Sequence, residues 1–133
     1  MKRIMMAMAA ALMLAGCGTS DVADYEAPKA PEGTQLISVR EVGRPKDYVK
    51  FHNASEAKSI DATVFFHDVD ARIWKKFGFV RLKGPGDTDT ISDAMTDIGI
   101  RRIRYFAVQF KDGKSHTLSL ANRRNDLHVF VED

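Results

Sequence analysis

From Thr34 to the carboxyl end, apolar residues repeatedly fall at every second position, the period of a strand with one buried face. Phe106, Val108 and Phe110 share one face opposite Tyr105 and Gln109, and Ala62, Val64 and Phe66 repeat the pattern. Runs rich in β-branched and aromatic residues alternate with Gly, Pro, Asn and Asp, which places strands at 35–42, 48–52, 59–67, 76–82, 102–111, 114–120 and 127–132. Asp112-Gly113 suits a tight type I′ hairpin, because its central positions require positive φ. Gly84-Pro85-Gly86 ends the strand before it. The stretch 90–98 departs from this period, since Ile91, Met95 and Ile98 recur at helical spacing. Thr90 or Ser92 would cap a short helix there, and a loop held by three apolar anchors fits equally.

With 133 residues, 44% hydrophobic and 29% charged, the chain has the size and balance of one globular domain, not of a disordered, collagenous or disulfide-scaffold protein. About seven short strands predict an all-β fold, a single antiparallel β-sandwich resembling the immunoglobulin-like architecture. Asn53-Ala54-Ser55, Lys58-Ser59-Ile60, Val64-Phe65-Phe66, Gly78-Phe79-Val80 and Gly84-Pro85-Gly86 together resemble the small immunoglobulin-like modules of bacterial lipoproteins and surface proteins. These include the FxLYD type, although that signature itself is not in the chain. The resemblance covers residues 48–114 and implies a fold without an activity.

At the amino end, Lys2 and Arg3 precede an Ala/Met/Leu-rich stretch. Its apolar run, 4–14, is about half the roughly 20 residues that a spanning helix needs, so it reads as a targeting signal. Leu14-Ala15-Gly16-Cys17 resembles the lipobox of bacterial lipoproteins. That resemblance implies diacylglyceryl transfer to the Cys17 sulfur, cleavage after Gly16 and often acylation, as with palmitate, of the new amino terminus. Two or three acyl chains hold a protein firmly, each buried methylene adding about 0.8 kcal/mol. In enterobacterial lipoproteins an Asp after the cysteine favours inner-membrane retention. Gly18 stands there in this chain, which implies the outer membrane in a Gram-negative source.

The expected organisation is a signal peptide over 1–16, a lipidated cysteine and flexible tether over 17–33, and a β-sandwich over 34–133. The tether contains Pro28 and Pro31 and little apolar periodicity, and its roughly 16 residues would reach about 50 Å. Cys17 is the only cysteine, so no internal disulfide forms and packing must stabilise the domain. The chain carries 20 basic and 18 acidic residues, and the excess leaves with Lys2 and Arg3. Nucleic acid is therefore not an expected partner.

The most concentrated positive charge is Arg101, Arg102 and Arg104 with Arg123 and Arg124 further on. Arg102, Arg104, Arg123 and Arg124 form a candidate patch for anionic headgroups or an acidic partner. The plainer reading makes them solvated residues that block edge pairing, with Arg102 and Arg104 on one strand face. Asp87, Asp89, Asp93 and Asp97 read as a solvated acidic loop, or as partners of those arginines. Trp74, Phe77 and Phe79 would make a binding surface if exposed together, and Trp74 more simply covers the core.

His67, Asp68 and Asp70 offer too few oxygens for a hard-cation site and read as a polar strand end. His52, His116 and His128 share no zinc spacing. Asn53-Ala54-Ser55 reads as a turn. No nucleophile elbow or phosphate-cradling loop is present, so neither catalytic residues, metal nor cofactor is expected. The expected role is a non-catalytic binding or assembly module of the cell envelope, held at the membrane through Cys17 and meeting a protein partner. The alternatives are an inhibitor or accessory subunit of an envelope enzyme, and a hydrolase with an unrecognised site.

Overall fold

The computed structural model describes residues 27–40, 42–56, 59–92 and 96–132, and the expected signal peptide and Cys17 lie outside them. Eight strands follow one another: β1 (Gln35–Ser38), β2 (Tyr48–Asn53), β3 (Ile60–Asp68), β4 (Ile73–Leu82), β5 (Thr88–Ser92), β6 (Tyr105–Phe110), β7 (Thr117–Arg123) and β8 (Asp126–Glu132). They form two four-stranded sheets, β1-β6-β3-β4 and β5-β2-β8-β7. The alternation does what its period requires. Ile60, Ala62, Val64 and Phe66 of the first sheet face Val49, Phe51, Leu127, Val129 and Val131 of the second in one shared core. The fold is an all-β sandwich.

Three local expectations are corrected. The strand β5 lies in the stretch read as an acidic loop or the start of a helix. Ile91 is fully buried opposite Val49, while Thr88, Thr90 and Ser92 are not, so a strand period overrides the helical spacing of three isoleucine and methionine positions. Met95, one of those positions, is outside the described residues. The second correction concerns Asp112-Gly113. Gly113 does adopt φ 74, but β6 and β7 belong to different sheets, so the turn is an arch across the sandwich and not a hairpin. The tight hairpin joins β7 to β8 instead, where Arg124 and Asn125 both have positive φ, 55 and 69. Third, one pairing is parallel. Val49, Phe51 and Asn53 of β2 run alongside Leu127, Val129 and Val131 of β8, so the first and last strands of the second sheet's centre are neighbours.

A bulge in β4 divides the aromatic group of Trp74, Phe77 and Phe79. Val64 pairs with Gly78 and Phe65 with Lys76, which leaves Phe77 as the extra residue. It turns into the core, stacked on Phe106 with centroids 5.7 Å apart and edge-on to Phe66 at 5.5 Å. Phe79 faces outward and is 66% exposed. Trp74 is only half-buried, so it does not cover the core as expected. It lies on the outer face of the first sheet, edge-on to His67, and its indole N–H donates to the Lys29 carbonyl at 2.8 Å.

That bond shows where residues 27–33 go. They cross the outer face of the first sheet from Gly33, where a side chain would meet the Gln109 amide at 3.5 Å, to Lys29 beside Trp74. Tyr105, Ala107 and His67 on this face are buried, although they do not belong to the core between the sheets.

Two strand ends are fixed by a side-chain amide and a carboxylate. Asn53 Oδ1 accepts from the Ser55 N–H at 3.0 Å and from its hydroxyl at 2.7 Å, the turn that Asn53-Ala54-Ser55 predicts. Asp126, buried at the start of β8, accepts from the N–H groups of Asp47 and Tyr48 at 3.0 and 3.2 Å and so holds the entry into β2. Bonds to a charged acceptor are worth about 1.5–3 kcal/mol each, and Asn keeps the acceptor oxygen that Ala lacks. Asp126→Ala should therefore lower the unfolding free energy by about 2 kcal/mol or more and Asp126→Asn by clearly less, as read by denaturant titration. Equal loss in both variants would remove this role from the oxygen.

Candidate functional site

The strand directions place all four candidate arginines at one end of the sandwich. β1, β3, β5 and β7 finish there, and β2, β4, β6 and β8 begin there. Arg102 lies in a short 3-10 turn, Ile100–Arg102, and Arg104 precedes β6, so neither sits on a strand face as expected. Nor do they guard an edge, because β6 lies between β1 and β3. Arg102 pairs with Asp70 of the β3–β4 turn at 2.6 Å. Arg104 is half-buried and its carbonyl accepts from the Val39 N–H. Arg123 stands over the Phe130 ring at 5.3 Å, and Arg124 occupies the β7–β8 turn. The chain binds this end together, since the Lys46 N–H donates to the Asn125 carbonyl at 2.8 Å and Arg101 Nε to the Lys46 carbonyl at 3.4 Å.

The acidic residues have other partners. Asp89 and Asp87 accept the N–H groups of Arg81 and Lys83 at the edge of β4, which caps that edge with carboxylates. Asp97 pairs with Lys75 at 2.8 Å, and Asp93 lies outside the described residues. Asp68 also pairs with Lys75, at 2.9 Å, and accepts from the N–H groups of Asp70 and Ala71. The Lys75 ammonium and these amides hold its carboxyl down at about 2. Asp68 and Asp70 are thus turn and ion-pair residues, His67 is buried edge-on to Trp74, and among the described residues no group of three or more ligating side chains could hold a metal ion.

A groove opens on the outer face of the first sheet, beyond the crossing segment. It encloses about 830 Å³ and is bounded by Asp61, Thr63, Phe79, Arg81, Gln109 and Lys111. Lys76 Nζ stands 5.1 Å from the centre of the Phe79 ring, and Arg81 Nε meets Asp61 at 3.3 Å along the groove. An exposed aromatic ring beside an ion pair and an amide offers apolar area and polar partners side by side. It lies at the end of the sandwich opposite the arginines.

A third cluster was invisible to spacing. Across β2 and β8, His52 Nε2 and His128 Nδ1 are 2.9 Å apart, one donating to the other. His52 stacks on Phe130 at 4.3 Å, and Tyr48 meets His128 edge-on. The alternation of Tyr48, Lys50 and His52 assigns them to an outward face, but the histidines are 76 residues apart in sequence, and only the parallel register brings them together. Burial lowers both imidazoles from 6.5. His128, Lys50 and Arg123 lower His52 further, while Arg123 and Lys50 lower His128 and Asp126 opposes them.

Among the described residues no helix is long and apolar enough to cross a membrane. Comparison with protein-family models, characterised proteins and solved structures finds no match. The surfaces must therefore be read from their own chemistry.

For the histidine pair the sign is definite. Folding favours the neutral rings, so their contribution to stability is present above about pH 6.5 and is lost as pH falls. In an NMR titration both rings should titrate below the ordinary value. His128→Gln should raise the His52 midpoint without restoring it fully, because burial, Lys50 and Arg123 remain. An unmoved His52 midpoint would show that the rings do not sense each other.

Proposed function

We propose that the protein is a lipid-anchored lipoprotein of the cell envelope whose domain is a non-catalytic binding module. The outer membrane is the proposed site in a Gram-negative source, from Gly18 after Cys17. The groove on the first sheet is the proposed binding site, and its occupant is a segment of a partner protein. One observation carries this reading: Phe79, a large aromatic residue 66% exposed in the middle of a strand, lines an open concave surface together with a charge pair, Arg81 and Asp61. An aromatic ring so placed is the kind of anchor on which protein interfaces concentrate their affinity. Anchoring through Cys17 would keep the module in the plane of a membrane and raise its effective concentration toward partners there.

Two measurements test the halves of this reading. Cys17→Ser should abolish lipid attachment and processing, and recovery of the correctly cleaved variant in the detergent phase would overturn the anchor. A photo-crosslinking residue at Phe79 should join the protein to an envelope partner in living cells, while one at Thr90, on the outer face of the other sheet, should not. Phe79→Ser should weaken co-purification of that partner about tenfold. Equal crosslinking at both positions, or capture unchanged by Phe79→Ser, would take the groove out of the account.

A further inference from the structure

We infer that the arginine-rich end of the sandwich lies against anionic phospholipid headgroups and sets the orientation of the domain on the bilayer, an inference that rests on the proposed lipid anchor for its geometry but not for its charge. Arg40, Arg44, Lys46, Arg101, Arg123 and Arg124 are all exposed at this end, and none meets a carboxylate among the described residues. Among the described residues the nearby acids are engaged elsewhere. Asp68 and Asp97 hold Lys75, Asp70 holds Arg102, and buried Asp126 accepts two backbone N–H groups. Asp47 is the exposed exception.

The cations form one surface, not three scattered loops. Lys46 is bonded through its backbone to both Asn125 and Arg101, and a side chain at Gly43 would meet the Asn122 amide at 3.4 Å. The connection into β2, the turn before β6 and the β7–β8 hairpin therefore present their charges together. Each Lys or Arg near an anionic membrane surface changes partitioning by about fivefold, so a few in contact suffice to orient a tethered domain.

The path of the chain selects a membrane over a soluble acidic partner. Residues 27–33 run across the first sheet and reach Lys29 beside Trp74, the second residue of β4, at the arginine-rich end. Lys29 stands twelve positions after Cys17, a span of no more than about 43 Å when fully extended. A tether that leaves the domain here lets this end reach the bilayer, and its cations would then hold it against anionic headgroups. Phe79 and Arg81 are then left facing away from it.

The full lipidated chain tests this directly. Because Cys17 carries lipid, a thiol introduced by Lys46→Cys or by Lys114→Cys is the only one free to take a fluorophore. Lys114 lies in the β6–β7 arch, at the opposite end. On phosphatidylcholine vesicles with about 30% phosphatidylglycerol and a headgroup quencher, the label at position 46 should be quenched several-fold more than the label at 114. The difference should disappear at about 1 M salt, in vesicles of phosphatidylcholine alone, and in Arg44→Ser/Arg101→Ser/Arg124→Asn. Equal quenching at both positions, or quenching indifferent to phosphatidylglycerol and salt, would overturn the inference. Flotation of the same samples reads the anchor separately. If the chain does not float with phosphatidylcholine, the anchor reading fails, and the surface is judged by flotation with phosphatidylglycerol vesicles. Loss of that flotation in the triple variant would retain the inference, and no flotation would end it.

Discussion

The parallel pairing of β2 with β8 is the contact on which the rest of the molecule depends. These strands are the centre of the second sheet, and each edge strand of that sheet has only one of them as a neighbour. Their inward residues, Val49, Phe51, Leu127, Val129 and Val131, are all at most 1% exposed and, with Ile91, make up the second sheet's share of the buried core among the described residues. No disulfide closes the domain, because the one cysteine precedes it. The chain must bring its last strand back to its second, across most of the sequence, before the second sheet exists. Such pairing is slow and entropically demanding. Asp126 fixes its register at one end by holding the backbone of Asp47 and Tyr48, and Asn53 turns the chain away at the other.

The same pairing organises the surfaces. It joins His52 to His128 and Phe130, and it brings the connection into β2 alongside the β7–β8 hairpin, so that Lys46, Arg123 and Arg124 share one end. The bulge at Phe77 does the equivalent work in the first sheet, turning one aromatic residue into the core and leaving Phe79 outside at the groove. In the proposed reading the two ends divide the work. The cationic end meets the bilayer near the point where the chain leaves for its anchor, and the groove faces away from it.

The fold class was legible because period-two alternation is a local property, and Ala62, Val64, Phe66, Phe106, Val108 and Phe110 carry it without help from neighbours. Connectivity was not local. Asp112-Gly113 announces positive φ but not which sheet the next strand joins, and Arg124-Asn125 forms the hairpin without the glycine that usually marks one. The strand β5 was hidden because only Ile91 faces the core and Asp89 turns to the edge of β4. Arg102 and Arg104 were legible as a concentration of charge, yet their strand faces were not, since the turn at Ile100–Arg102 interrupts the alternation. The place of Trp74 was not legible, because nothing local shows that Lys29, 45 residues away, offers its carbonyl. The histidine pair and the groove depend on register between strands, which no spacing within a strand encodes.

Native-state hydrogen exchange reads the central dependence most directly, because it ranks segments by the free energy needed to open them. The ladder amides of β2 and β8 should exchange only through global unfolding, with those of β5, β7 and residues 27–33 opening at lower free energy. If the β2 and β8 amides instead exchange faster than those of the β3–β4 hairpin, the first sheet stands without the second, and the parallel pair is not what holds the sandwich closed.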